Sequence, residues 1–426
     1  MIDTARVAAP DARPAGRGAG PRYRLAFLLD SLEGGGVQRM TLAIARCCRE
    51  RGHAVDLLVC EARGRLRGSI PDGVRLVELA RSDPLLARAL PARADPAALP
   101  ALALAVVLPR KAHWTQAHLR ALAHHLRRKR PDALLAATPR LNLLAAWARR
   151  LAGGRTRLLV SERTAPTQNL DRGGKWRKRL VLPGLMRRAY GQADAVVAVS
   201  DGVADDLARV TGLPRGRIRT IHNPVVGPEL DALSREPVAH PWLAPGEPPV
   251  VLSAARLTVQ KDLPTLLRAF ALLRARRAVR LLILGDLPTP ERTEAKIAEL
   301  RGLAERLGVG ADVELPGFVA NPYAWMARSA LFALSSAYEG FGNVLVEAMA
   351  CGCPVVSTDC PSGPAEILAG GRHGPLVPVG DAEALAAAMA RVLDAPPDPA
   401  ALRARAAEFT VERATDGYLN ALFGRA

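Results

Sequence analysis

Residues Ala330 to Ser357 contain one complete structural unit, and it restricts the fold more than any other stretch of the chain. Ala330-Leu331-Phe332-Ala333-Leu334 is a short apolar run of the kind that forms a buried strand. Gly340 and Gly342 can adopt backbone conformations closed to other residues and let a ligand approach the main chain. Asn343 is a favoured N-cap, Val344 to Ala350 reads as a helix, and Gly352 followed by Pro354 ends it. Pro354-Val355-Val356-Ser357 then reads as the next parallel strand. Strand, glycine turn, helix and strand in that order belong to an α/β sheet. The helix N-terminus offers free N–H groups and a partial positive charge, a natural diphosphate site. Glu339 lies at the carboxyl end of the strand, where open α/β sheets bind ligands. Glu347 lies about one turn into the helix, where a carboxylate can accept both hydroxyls of a ribose. Gly340, Phe341, Gly342, Asn343 and Val344, the turn and the first helical residues, are expected to contact that ligand. The alternative is purely structural: Glu347 on a helix surface, and two glycines that shape a turn.

The rest of the chain repeats this alternation. Tyr23 to Leu29 reads as a first strand, followed by the glycine-rich turn Gly34-Gly35-Gly36 and a helix from Met40 to Arg49. Further strands are expected at 53–59, 134–137, 158–161 and 195–200. A second series starts at Val250 to Ala254 and continues through a helix at 263–274, a strand at 281–284, a helix near 295–307 and a strand at 313–315. Strands alternating with helices imply parallel sheets covered by helices. The segment between the series is rich in Pro, Gly and polar residues and reads as a hinge. Two doubly wound domains are therefore expected.

The 426 residues suffice for two to three domains. The apolar stretch Ala101 to Leu108 is too short and broken to span a bilayer, which needs roughly 20 residues. Residues 1–20 lack an apolar signal-peptide core and read as a disordered tail. The six cysteines show no paired Cys-x-x-Cys spacing and read as reduced thiols, with Cys351 and Cys353 as small packing residues. The net charge is +18, and only six of the 59 basic residues are lysines. That excess favours anionic partners such as phosphorylated substrates or an acidic membrane surface. Two basic clusters stand out, Arg127-Arg128-Lys129-Arg130 and Arg172 to Arg179. The second adjoins Trp176 and Leu180 and suits an anionic bilayer; a solvated basic loop is the alternative. Nucleic-acid binding is disfavoured, because aromatics are only 4% of the chain and do not interleave a basic groove.

Several segments together resemble the family 4 retaining glycosyltransferases. Glu339 and Glu347 are similar to that family's paired glutamates, and Arg256-Leu257 with Lys261-Asp262 to its Arg-Leu…Lys-Asp segment. Gly34 to Arg39 resembles its first glycine-rich loop, and residues 193–200 and 221–224 its usual domain-end segments. Ser161-Glu162-Arg163-Thr164 and residues 359–368 look like a subgroup that builds bacterial surface or lipid-linked glycans, such as lipopolysaccharide or exopolysaccharide. Ser161-Glu162-Arg163 stands where the family often carries a histidine, and Leu287-Pro288-Thr289-Pro290 replaces its usual Gly-Pro loop. The resemblance implies the GT-B fold: two Rossmann-like domains facing each other across a cleft, with a C-terminal helix returning toward the first. With the hinge placed by composition at 225–248, the expected domains are an N-terminal acceptor-side domain at 21–224, a nucleotide-sugar-binding domain at 249–400 and the returning helices at 401–426.

The chemistry implied is transfer of a hexose-type sugar from a nucleotide-sugar, with a lean to UDP, and with retention of anomeric configuration. Breaking the anomeric C–O bond builds negative charge on the leaving diphosphate, which Arg256 and Lys261 suit as a planar fork and a point charge. The resemblance gives Glu339 the sugar hydroxyls, Glu347 the ribose, Gly317 and Phe318 the base, and Gly35, Gly36, Glu162 and Arg163 the acceptor side. No Asp-x-Asp metal motif occurs, so no metal and no cofactor are expected. The expected acceptor is a glycan or a lipid-linked, membrane-proximal molecule, which would place the enzyme in the cytoplasm as a peripheral protein on the inner face of the membrane. A soluble acceptor is the alternative.

Overall fold

The computed structural model describes residues 21–102, 114–171 and 176–424. The tail expected at 1–20, most of the apolar stretch from Ala101, and Arg172 to Lys175 of the basic cluster lie outside these residues. Two parallel sheets organise the chain. The first joins β1 (Arg24–Leu29), β2 (Ala54–Val59), β3 (Arg75–Glu78), β4 (Ala133–Ala137), β5 (Arg157–Glu162), β6 (Ala195–Ala198) and β7 (Ile218–Thr220) in the order β3-β2-β1-β4-β5-β6-β7. The second joins β8 (Val250–Ala254), β9 (Arg280–Leu284), β10 (Val313–Gly317), β11 (Leu331–Leu334), β12 (Val355–Thr358) and β13 (Leu376–Val377) in the order β10-β9-β8-β11-β12-β13.

The strands are near-continuous apolar runs because helices cover both faces, so neither side can be polar. Phe332 of β11 pairs with Leu252 on one side and Val355 on the other and has no solvent exposure. Removing such a ring costs about 3–5 kcal/mol. Strand order reverses between β1 and β4 in the first sheet and between β8 and β11 in the second. These are the switch points at which open α/β sheets leave a crevice beyond the carboxyl ends of their strands.

Two segments join the domains. The first leads from β7 to β8, and the second links the helix Pro399–Ala406 to the helix Val411–Phe423. They are tied together: Val225 and Val226 donate main-chain N–H bonds to the Phe409 carbonyl, and Val411 donates to that of Val226. The last helix docks on the first domain, where Arg51 pairs with Asp416 at 2.6 Å and Phe423 stacks on Tyr23 at 3.7 Å.

Some local expectations need correction. The first helix starts at Gly36, a turn earlier than its apolar pattern. The helix of the key unit starts at Asn343, with Gly342 (φ 101°) rather than Asn343 as its N-cap. The Asn343 side chain instead accepts a 2.8 Å bond from Asn223 Nδ2 in the first domain. Asp206, whose pairing with Asp205 in the sequence suits a solvated helix face, is buried and accepts bonds from the Thr167 main chain and hydroxyl.

Candidate functional site

The cleft between the domains receives the carboxyl ends of both sheets. In the second domain, β8 leads into residues 255–262 and β11 into residues 335–343, so two loops from neighbouring strands meet at the switch point. Asp262 adopts a left-handed conformation (φ 42°), which a short polar side chain tolerates. It closes the 3-10 turn Val259–Lys261 and starts the helix Leu263–Arg274. The turn delivers Lys261 to Glu339: Nζ lies 2.5 Å from Oε1. Ser336 Oγ donates to the same oxygen at 2.7 Å, and Gln260 Nε2 lies 3.4 Å from Oε2. The loops also lock by main chain, Ala337 N–H to the Gln260 carbonyl at 2.8 Å and Ser335 Oγ to that of Lys261 at 2.8 Å. Glu339 is only 6% exposed, yet its charge is fully matched.

Arg256 stands apart on the same loop, exposed and without an ion-pair partner among the described residues. The helix Asn343–Ala350 begins with no side chain capping its N-terminus. Glu347 follows one turn on. Burial pushes its carboxyl up to about 7, against the pull of Arg39 and Lys261. The charge of Glu347, with burial, in turn pushes the Tyr323 hydroxyl well up. Arg39 belongs to the first domain, on the opening turn of the helix Gly36–Glu50, so the glycine-rich loop faces Glu347 across the cleft. Gly34 takes φ 110°, and Gly35 caps that helix without a side-chain bond. Gly317 (φ 85°) ends β10, and its carbonyl accepts from Gly285 N–H at 2.7 Å; Phe318 beside it is 52% exposed.

Arg256, Lys261, Glu339, Glu347, Gly342, Val344, Gly317 and Phe318 thus all belong to the second domain's wall of the cleft, and Gly35 and Gly36 to the first domain's. Other nominated residues sit in the seam that joins the domains. A Cβ on Gly340 would overlap the Arg163 carbonyl oxygen, and Gly340's own carbonyl accepts from Ser200 Oγ at 2.8 Å. The Phe341 ring is 2% exposed and stacks on His222 with centroids 5.1 Å apart, leaving only its main chain for a ligand. Arg163 donates to Asn223 at 3.0 Å and to the Tyr418 hydroxyl at 2.6 Å. Glu162 is 1% exposed and lies beneath the cleft with Tyr190 and Asn142, and burial pushes its carboxyl up to about 8. Glu366 crosses the seam to accept from Asp201 and Gly202 N–H and to meet His222 at 3.2 Å.

Four further residues enter the cleft that sequence reading passed over. Gln260 and Ser336 bind Glu339, and Arg39 and Tyr323 flank Glu347. Thr138, at the end of β4, holds φ 98°, a strained value for a β-branched residue, at the first domain's own switch point. Thr138-Pro139 directly after an apolar strand was the available signal. Among the described residues no group of three or more His, Cys, Asp or Glu is arranged to hold a metal ion.

Residues 34–226 match the family model described as Glycosyltransferase Family 4, and residues 248–395 match Glycosyl transferases group 1. Over 309 residues the chain is 31% identical to the lipopolysaccharide core biosynthesis glycosyltransferase LpsE of Rhizobium meliloti, covering 70% of this chain and 78% of that protein. Over 240 residues it is 32% identical to the N-acetylgalactosamine-N,N'-diacetylbacillosaminyl-diphospho-undecaprenol 4-alpha-N-acetylgalactosaminyltransferase of Campylobacter jejuni, covering 56% of this chain and 61% of that protein. The structure of Anabaena Alr3699/HepE in complex with UDP and glucose superposes with a TM-score of 0.69 at 20% identity, covering 94% of this chain and 99% of that one. That of WaaG, a glycosyltransferase involved in lipopolysaccharide biosynthesis, gives 0.64 at 17%, covering 94% and 100%. Two family models in the order of the two sheets, and a relative matched over most of its length, lead to one assignment: the chain belongs to the family 4 glycosyltransferases and has the GT-B fold.

Proposed function

We propose that this glycosyltransferase moves a hexose-type sugar from a UDP-sugar to a lipid-linked or membrane-proximal glycan during bacterial surface polysaccharide synthesis, with retention and without a metal. The observation that carries this reading is the meeting, at the β8/β11 switch point, of Arg256, Lys261 and the uncapped helix N-terminus at Asn343, with Glu339 and Glu347 on either side. The first three supply positive potential where a diphosphate leaves, and the Lys261–Glu339 pair holds the ammonium in place before the reaction begins. Glu347 receives the ribose hydroxyls and Glu339 the hydroxyls of the transferred sugar. Glu339 also holds Lys261 in place, so sugar and diphosphate are positioned through one ion pair.

In the front-face route the bond from the anomeric carbon to the diphosphate oxygen breaks as the acceptor oxygen bonds to that carbon on the same face. The acceptor's proton passes to the leaving phosphate oxygen. No protein nucleophile is needed, and closure of the first domain over the donor expels water. The acceptor enters along Gly35 and Gly36.

The activities of the two relatives support the acceptor class: one transfers to a diphospho-undecaprenol-linked sugar, the other serves lipopolysaccharide core synthesis. A peripheral place at the inner face of the cytoplasmic membrane fits the surface. No helix among the described residues is long and apolar enough to cross a membrane, while Trp176 and Leu180 expose over half their area on a helix that carries Arg179. Thermal stabilisation by a panel of nucleotide-sugars, followed by transfer to lipid-linked acceptors, tests the proposal, because a bound donor raises Tm by mass action. A UDP-sugar should give the largest shift; stabilisation by none of the panel would remove the donor assignment.

A further inference from the structure

The first domain sends one side chain across the cleft to the place assigned above to the donor's base. Arg65 opens the 3-10 turn Arg65–Ser69 that follows β2. Its guanidinium lies over the Phe318 ring, 5.6 Å from the centroid, and 3.7 Å from the Asp286 carboxylate. Asp286 and Phe318 follow β9 and β10, neighbouring strands of the second sheet, so both contacts span the two domains. The loop that holds Arg65 is rigidly placed. Leu32 N–H donates to the Arg63 carbonyl, and Leu66 N–H donates to that of Leu32, both at 2.9 Å. Gly64 takes φ 126°, and a Cβ there would overlap the Leu32 main chain. Arg65 is therefore fixed to the loop that leads into Gly34-Gly35-Gly36.

A guanidinium is planar and stacks on aromatic faces, whereas an ammonium does not. Phe318 and Arg65 are both largely exposed, with the Arg65 side chain at 69%, so the gap between them is open at its edges. A base inserted between two planes needs about 7 Å, twice the contact distance of carbon atoms. The guanidinium carbon now lies 5.6 Å from the ring centroid, so the two groups must part before a base fits between them. A small opening of the cleft, with Asp286 retaining the guanidinium, makes the room.

We propose that Arg65 is a specificity residue supplied by the first domain: it leaves Phe318 when the nucleotide enters and stacks on the outer face of the base. The inference rests on the donor-site reading above and adds to it a base contact from the opposite domain. It couples recognition of the base to the position of the glycine-rich loop, since both belong to one fixed turn.

Calorimetric titration with UDP, with GDP in parallel, and with pyrophosphate as a probe lacking a base tests it. Arg65→Ala should weaken UDP by about 5- to 30-fold, the range of a cation–π contact at a partly desolvated site. Pyrophosphate affinity should stay at the wild-type value, and Arg65→Lys should recover only part of the loss. Unchanged UDP affinity in Arg65→Ala, or equal weakening of UDP and pyrophosphate, overturns the inference. Glu347→Ala is the control for the underlying site: loss of UDP binding there keeps the donor reading whatever Arg65 does. Wild-type UDP binding by Glu347→Ala removes that reading and this inference with it.

Discussion

The two switch points of this molecule are built alike and furnished differently. Each lies beyond the carboxyl end of a parallel sheet, and each is entered by a glycine-led helix whose N-terminus has no side-chain cap. At the second, Lys261, Glu339, Ser336 and Gln260 form a closed hydrogen-bonded set, and Glu347 is half-buried between Arg39 and Tyr323. At the first, Gly35 and Gly36 are exposed, and Thr138 carries backbone strain. UDP- and GDP-sugars share the same diphosphate and ribose, so under the proposed function one rigid arrangement of charge would serve either. The acceptor proposed for the first domain would meet a more open surface.

The sharpest way to break this contrast is to remove its charged side. Lys261→Ala and Glu347→Ala should each lower kcat/KM by about 100- to 1,000-fold, the scale of losing one preorganised group at developing charge. Circular dichroism should show the fold intact. Wild-type turnover in both would erase the distinction between the two walls.

One substitution at two glycines sharpens it next. Gly340→Ala forces a Cβ into the Arg163 carbonyl and should cost about 1–3 kcal/mol in denaturant titration, with activity falling as the seam opens. Gly36→Ala meets no atom within 4 Å and sits in a helical turn, so it should leave stability unchanged or raise it by about 0.4–1 kcal/mol. Equal destabilisation at both would mean that the first loop is packed as tightly as the seam.

The effect of pH comes third. Burial raises the Glu347 carboxyl from its ordinary 4.5 to about 7. Between those values the folded chain keeps a proton that the unfolded chain has released, so this group reduces native stability as pH rises through the window. The reduction is complete above about 7 and absent below 4.5. Glu347→Gln should therefore melt above the wild type at pH 8 and level with it at pH 4. A difference that does not change with pH would contradict the buried, charged carboxylate. The smallest expected effect is none: transfer should survive EDTA, and full loss restored by manganese would end the metal-free reading.

Much of this was legible in the chain itself. Parallel strands buried on both faces announce themselves as apolar runs, and the loops after β8 and β11 carry their charges at fixed spacing. Shorter elements were not legible. β3 reads Arg-Leu-Val-Glu with its side chains half exposed, and β13 has two residues, too few for a pattern. Partnership across the chain was hidden as well. Glu162 and Arg163 look like exposed polar residues of a loop, but the fold buries one under Tyr190 and ties the other to Asn223 and Tyr418. Phe341 reads as a ligand contact until His222 and Phe409 enclose it. Arg65 gave no signal, because its partners follow strands of the other domain.

The claim that the donor's diphosphate and ribose are held by the second domain is open to one direct measurement: hydrogen exchange of the intact protein with and without UDP. Protection should concentrate on the main chain of residues 255–262 and 338–350, with a smaller change at 34–36. Protection confined to the glycine-rich loop of the first domain, or none at 338–350 under saturating UDP, would contradict it.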